Sequence, residues 1–543
     1  MVVKSIFQSL VFTCIVVLAI VCVYGCNYEL AEGDDQINLF LFKYYRLGWE
    51  QIKPTVLHYY YYLFPRLYAF YDKVPWYSIF MSLTFVVVCY FLIEVFQHFL
   101  DKNRKQNGFL IKGGILLFVA CLLSEYVASF TFTRLSILGM FVSWFYLLTK
   151  YPALGGKRWF VIQALISGLI FCICVTLRVE SIFLFAVLFP VVYCLKLFSP
   201  QALKITGFVF FVLGIALFLF EKSYLKSDPF YEKEKYLTNI ADARFVRDWK
   251  GEMTPREKMK KEAAITWFTY DDSISVAFLK KLTVSSIFSS EKILFTKNFE
   301  KFGFYVRYLD GIGGWYLVVI LIVVCVAIQV HLRLALKFIL AFLYLLAFFG
   351  VLSFFYKNEA RVFSPTLSIL IFLFVFKLID KQPVLNNLRG IILMVAGFLM
   401  LGWHLDIFAS YRNEIEDFKK KQKLYSGYVS SIVNGKTLVI SMDKSYLLYV
   451  PPFDPSIPRM KILFLDNPYL GLTEQFGTSS NDAFIKGYNL LLKNKERYVF
   501  LISDERAGFL STYLKLVHNV DFKFQHLPHS FQNDGFLTFH TLQ

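Results

Sequence analysis

Ser5-Ile6-Phe7-Gln8-Ser9-Leu10-Val11-Phe12-Thr13-Cys14-Ile15-Val16-Val17-Leu18-Ala19-Ile20-Val21-Cys22-Val23-Tyr24-Gly25 carries no charge and leads into Cys26-Asn27-Tyr28-Glu29-Leu30-Ala31-Glu32-Gly33-Asp34-Asp35-Gln36. The first segment is long enough to cross about 30 Å of hydrocarbon, at roughly 20 residues per crossing. The second puts Glu29, Glu32, Asp34 and Asp35 at the mouth of that crossing, where carboxylates cost little and can meet the headgroup of a lipid-borne substrate. Lys4, the apolar stretch and Val23-Tyr24-Gly25-Cys26 also resemble a signal peptide ending in a lipoprotein cleavage box. Tyr24 fits such a box poorly, so an uncleaved first helix is expected.

The rest of the chain follows the same logic. Of its 543 residues, 57% are hydrophobic and 19% aromatic, a balance that suits a polytopic membrane protein and not a soluble one. Further apolar runs lie near Trp76–Phe99, Phe109–Leu123, Leu135–Leu148, Phe160–Leu177, Ile182–Leu197 and Ile205–Phe220. Four more follow near Gly314–Val330, Leu334–Phe355, Pro365–Leu378 and Gly390–Phe408. With the first, these make about eleven transmembrane helices.

Basic residues in the short connections set the orientation. Lys4, then Lys102, Arg104 and Lys105, then Lys150, Lys157 and Arg158 fall on one side. Lys196, Lys204, Arg333, Lys337, Lys377, Lys381 and Arg389 join them, opposed only by Asp101 and Asp380. A cytoplasmic N-terminus and, from an odd number of spans, an external C-terminus are expected. Much of the +17 net charge is then anchorage to anionic lipid at the inner face. No aromatic-interleaved basic groove points to nucleic acid.

On this topology the outer face collects the Asp34-Asp35 loop, the turns at Arg134, Arg178 and Arg361, and the polar insert from Glu221 to Asp310. The first outer loop, 26–75, holds the tyrosine run at 59–62, which suits the membrane interface. The insert, 221–312, holds Trp267-Phe268-Thr269-Tyr270-Asp271-Asp272, a patch that fits either sugar contact or a solvated helix cap. From 411 to 543 the chain alternates short strands (Thr437–Ser441, Lys461–Leu465, Tyr498–Ser503) with helices (Asp482–Lys493, Arg506–Val517). The expected fold is therefore an α-helical membrane domain over 1–410 and a C-terminal soluble α/β domain. The latter has no Gly-rich phosphate loop.

All nine cysteines except Cys26 fall in expected spans, so no disulfide framework is read.

A sugar carried on a polyprenyl phosphate cannot leave the bilayer and must react at its surface. Single displacement by an acceptor hydroxyl needs a base for the hydroxyl proton and a cation for the departing phosphate. Asp34 or Asp35 supplies the base, and Arg178 and Arg361 are candidate phosphate clamps. Arg178 has an alternative partner in Glu180, two residues on, and a solvated turn is the favoured account of both Arg134 and Glu125.

A cytoplasmic N-terminus, one span, an acidic pair early in a long outer loop, many further spans and a soluble external C-terminal domain resemble the GT-C glycosyltransferases. That group includes the protein O-mannosyltransferases and aminoarabinose transferases. The resemblance implies that Asp34 and Asp35 stand at the catalytic acidic pair and that Arg178 and Arg361 are similar to phosphate-contacting arginines; Arg134, Glu180 and Trp267 are further substrate-binding candidates from their place on the outer face. It implies a polyprenyl-phosphate sugar donor, a lipid, glycan or protein acceptor, membrane lipids as surroundings, and a role in cell-envelope glycan biosynthesis. No cofactor is required by the residues. A divalent metal, where relatives hold one, would fall to Asp35, Asp271 or Asp272. A bacterial plasma membrane is the expected location, since Thr541-Leu542-Gln543 is no ER-retention tail. A lipid-linked glycan flippase or a polysaccharide polymerase or ligase would share many of these features, although a transporter normally places charge near the bilayer midplane.

Overall fold

The computed structural model describes residues 9–14, 58–60, 63–71, 73–102, 131–151, 157–226, 252–266, 273–283, 332–355, 360–381, 436–440, 462–464, 491–526 and 538–542. It also describes isolated positions within 119–126 and 232–240, and at 17, 271, 324, 328 and 489. The chain is mostly helical, and six helices are apolar and long enough to cross a membrane: Trp76–Leu100, Phe132–Lys150, Phe160–Leu177, Pro200–Tyr224, Leu332–Leu352 and Val362–Asp380. Each coincides with an expected run. The run at 182–197 forms a shorter helix; of the expected span at 5–25 only 9–14, which is helical, and position 17 are described, and the expected spans at 109–123, 314–330 and 390–408 lie, apart from isolated positions, outside the described residues.

The bundle begins with α1 (Leu63–Phe70), α2 (Trp76–Lys102), α3 (Phe132–Lys150) and α4 (Lys157–Leu177). A single 3-10 turn at Val179–Ser181 leads into α5 (Ile182–Leu195) and α6 (Pro200–Lys226). The two later apolar helices, labelled after the insert helices below, cover Leu332–Phe355 and Ala360–Lys381. Burial sorts them into layers: the span of α3 is 100% buried and Val362–Asp380 94%, against 28% for α6 and 33% for α4. An all-round apolar helix is enclosed and a half-buried one presents a side to lipid. Leu165, Leu169, Phe208 and Leu340 are accordingly exposed.

Close packing of α3 on α4 depends on small residues, as is usual where lipid supplies no hydrophobic driving force between helices. A Cβ built on Gly139 would lie 2.2 Å from Cys174 Sγ and 3.0 Å from Val88 Cγ2. Several polar groups in this layer meet local acceptors: Ser143 Oγ donates to the Gly139 carbonyl, Ser167 Oγ to the Ser143 carbonyl at 2.6 Å, and Trp144 Nε1 to Thr206 Oγ1 at 3.0 Å.

Ion pairs fix the helix directions. Lys150 at the end of α3 lies 2.6 Å from Glu94 Oε2 near the end of α2, so these two helices run parallel. Connection by a short loop makes α4 antiparallel to α3, and α5 returns the other way. The Lys377 ammonium donates to the Lys196 carbonyl just past α5 at 3.1 Å. Lys150, Lys196 and Lys377, which set the expected orientation, thus gather at one end of the bundle.

The polar segments build a second core. Thr254 and Glu257 form a reciprocal capping box and Pro255 takes the first helical position, which starts α7 (Pro255–Ile265). Ser275 caps α8 (Val276–Leu282) by accepting from the Phe278 N–H. The later apolar helices are then α9 (Leu332–Phe355) and α10 (Ala360–Lys381). Strands β1 (Thr437–Ile440), β2 (Ile462–Phe464) and β3 (Tyr498–Ile502) match the expected three; β4 (Phe524–His526) and β5 (Thr538–Leu542) were not foreseen. The five-stranded sheet has the order β2-β1-β3-β5-β4, with β1 parallel to both β2 and β3, and β5 antiparallel to β3 and β4. Helix α11 (Asp504–His518) is capped by Ser503 and ends at Asn519 in the left-handed conformation.

Leu237, Ile240, Met259, Ala263 and Leu279 of the insert share one buried cluster with Leu491, Phe500, Leu510, Tyr513 and Val517. Two stretches more than 200 residues apart thereby close a single core, which the division at 410 treated as two units. Two segments with a common core lie on the same side of any membrane.

Gly139→Val should overpack the α3–α4 seam and destabilise by about 1–3 kcal/mol. Gly168 on α4 has nothing within 4 Å of its virtual Cβ, so Gly168→Ala should leave the thermal transition of the detergent-purified protein unchanged or raised. Equal melting temperatures for wild type and Gly139→Val would contradict this packing.

Candidate functional site

The 3-10 turn Val179–Ser181 stands between the ends of α3, α4 and α6, opposite the lysine-rich end. Tyr60 Oη donates to the Ile173 carbonyl at 2.9 Å and lies 2.8 Å from Thr176 Oγ1 on α4. Tyr59 Oη donates to the Leu217 carbonyl of α6 at 2.6 Å. Two residues of the expected interfacial tyrosine run are therefore pinned to the bundle through their hydroxyls. Ser136 Oγ on α3 sits 3.0 Å from Ser181 Oγ and 3.4 Å from the Arg178 carbonyl, which ties the first turns of α3 to the linker.

Charges line this end. Arg178 Nε is 3.6 Å from Glu180 Oε2, and Lys222 Nζ of α6 is 3.1 Å from Glu180 Oε1. One carboxylate thus holds two cations, each about a third exposed. Such partly wet pairs are worth about 0–1 kcal/mol, so an anion can displace the carboxylate at little cost. Arg134, in the first turn of α3, is buried, and its backbone N–H donates to the Thr131 cap at 3.1 Å. Arg361 occupies the first turn of α10. Because Lys377 binds the far end of α5, Arg361 is at the same end of the bundle as Arg134 and Arg178.

Of the residues expected from the sequence, the structure therefore places Arg134, Arg178, Glu180 and Arg361 at one end. Asp34, Asp35, Glu125, Trp267 and Asp272 lie outside the described residues. Lys222 was missed; its signal was a basic residue directly after Glu221, where the apolar run of α6 stops. The pairing of Arg178 with Glu180, weighed as an alternative to phosphate binding, is present.

Asp271 belongs to the other core. Only 1% exposed, it takes the Ser273 N–H at 2.7 Å on Oδ1 and the Ser273 and Tyr513 hydroxyls on Oδ2. His518 Nε2 approaches Oδ2 to 2.5 Å. Lys233 Nζ donates to the Asp271 carbonyl at 2.7 Å, and Lys260 Nζ to the Ser273 carbonyl at 2.8 Å. Burial pushes the carboxyl up, but the donors from His518, Ser273 and Tyr513 prevail and hold it at about 2. These donors use the lone pairs a cation would need. Among the described residues no three His, Cys, Asp or Glu side chains gather into a metal-binding group. Asp271 is a clasp between insert and C-terminal helix, and neither partner was legible from spacing.

Comparison of the chain with protein-family models, with curated proteins and with solved structures returned no match.

A depressed carboxylate contributes stability that is complete above its unfolded value, near 3.9, and is lost as pH falls through its folded value, about 2. The clasp is thus worth about 2 kcal/mol above pH ~4, withdrawn towards pH ~2. The gap in melting temperature between wild type and Asp271→Asn should narrow over that window. A gap that stays constant from about pH 5 to about pH 2 would remove the clasp as its cause.

Proposed function

We propose that the chain is an integral-membrane glycosyltransferase of the GT-C type, acting on a polyprenyl-phosphate sugar at the external face of a bacterial plasma membrane. The observation that carries this reading is the gathering of Arg134, Arg178, Lys222 and the start of α10, with Arg361, at the end of the bundle opposite the lysine cluster. The first outer loop returns to that end through Tyr59 and Tyr60, and it is the loop that carries Asp34 and Asp35.

In the proposed reaction an acceptor hydroxyl oxygen attacks the anomeric carbon while the bond from that carbon to the phosphate oxygen breaks. The hydroxyl proton passes to the Asp34 or Asp35 carboxylate. The departing polyprenyl phosphate keeps the bonding electrons, and Arg178, released from Glu180, meets the new negative charge with Arg361 beside it. Lys222 remains on Glu180, or follows Arg178 to the phosphate as a point charge. About eleven spans and a C-terminal α/β domain complete the proposed architecture. The insert and that domain, sharing a core, stand together on the external side and supply the acceptor surface, with Trp267 as a sugar contact.

Purified protein in liposomes, given a polyprenyl-phosphate sugar and a mixed acceptor extract, should release polyprenyl phosphate. Asp34→Asn or Asp35→Asn should reduce release by about 100-fold or more, with membrane accumulation unchanged. Arg178→Ala should raise the KM for donor while a Glu180→Gln variant lowers it. Full activity in both aspartate variants would eliminate the base.

A further inference from the structure

At the lysine-rich end, helix α5 stops early. Its 14 residues cover about 21 Å, short of the roughly 30 Å of a hydrocarbon core. Lys196 ends it in the left-handed conformation, with φ 51° and ψ 44°. The last carbonyls of a helix lack partners within it and, in lipid, cannot be left to water. Two lysines from other helices meet them: Lys337 Nζ of α9 donates to the Cys194 carbonyl at 3.0 Å, and Lys377 Nζ of α10 to the Lys196 carbonyl at 3.1 Å.

The two lysines differ in charge balance. Lys377 also contacts Asp380 Oδ2 at 3.1 Å and is buried, so its charge is compensated. Lys337 and Lys196 are exposed, and among the described residues neither has an acidic partner. An ammonium has three donors, and the carbonyl uses one of those on Lys337. Among the described residues, two cations without an acidic partner therefore stand at the foot of one seam.

That seam has a fixed register. Tyr344 Oη of α9 donates to the Val187 carbonyl of α5 at 3.3 Å, two turns deeper than the contact of Lys337 with Cys194, so the helices run antiparallel in step. Leu336, Leu340 and Tyr193 flank it and are exposed. Exposed apolar side chains with cations at their foot match one ligand chemistry, a phosphodiester monoanion attached to acyl chains. Basic positions between transmembrane helices at a cytoplasmic leaflet bind such lipids.

We infer that the α5–α9 seam is a binding site for an anionic phospholipid, with Lys196 and Lys337 on the headgroup phosphate and an acyl chain along Leu336 and Leu340. This site is at the opposite end of the bundle from the proposed sugar-transfer site, and it stands whether or not that reading holds.

Native mass spectrometry of the full chain in detergent, titrated with phosphatidylglycerol or phosphatidylcholine of matched acyl chains, tests it. Phosphatidylglycerol should be retained and phosphatidylcholine not, and a large excess of inorganic phosphate should not displace it. At about fivefold per lysine, the double variant Lys196→Gln with Lys337→Gln should weaken phosphatidylglycerol binding by about 25-fold. The double variant Lys196→Arg with Lys337→Arg, which keeps both charges, should bind like wild type. Equal retention of the two lipids, undiminished binding in the glutamine variant, loss of binding in an arginine variant that melts normally, or displacement by phosphate alone would each overturn the inference.

Discussion

Complete enclosure of α3 is the constraint from which the rest of the bundle follows. A helix buried on every side must satisfy its hydroxyls internally and admit its neighbours closely. Gly139 beside Cys174 and Val88 does the second, and the serine bonds to backbone carbonyls do the first. Once α2, α4 and α10 pack around this axis, their termini sort into two polar ends. Glu94 with Lys150 closes one, and the turn Val179–Ser181 closes the other. A bulky residue at Gly139 would push α4 away and with it the turn that carries Arg178.

The two ends use charge differently. At the lysine-rich end, ammonium groups serve as helix caps: Lys337 and Lys377 complete the last turn of α5, and Lys150 neutralises a buried glutamate. At the opposite end, Arg178 and Lys222 converge on one exposed carboxylate, Glu180. Caps that replace water at a helix end are expensive to remove, whereas wet ion pairs exchange readily with a competing anion. The second kind of arrangement suits a ligand that arrives and leaves.

Helix positions were readable from the sequence because a crossing leaves a long uncharged run, and Trp76, Leu135, Phe160, Ile205, Leu334 and Pro365 each open one that is helical. Which helix is central was not readable. The runs of α3 and α4 look alike by composition, and enclosure arises only from packing. The gathering of Arg134 and Arg178 followed from counting sides, but Lys222 did not stand out because it lies at the start of the long charged insert. Strands β4 and β5 escaped notice because β4 is only three residues long and each gains its partner from the other or from β3. The bond from Tyr513 to Asp271 joins residues 242 apart, a distance over which no periodicity reports. Reading Asp271 as a solvated cap or a metal ligand missed that the insert is completed by the C-terminal helix.

The central claim is that a lipid-linked phosphate sits at the end of the bundle formed by α3, α6, the Arg178 turn and the start of α10. A photoactivatable polyprenyl phosphate, cross-linked to the protein in liposomes and mapped by peptide mass spectrometry, addresses it without requiring the sugar or the acceptor to be known. The account predicts headgroup-proximal labels on peptides containing Arg178–Ser181, Lys222 and Arg361, reduced by unlabelled polyprenyl phosphate. Labels confined to the lysine-rich end near Lys150, Lys196 and Lys337, with none at the Arg178 turn, would contradict it.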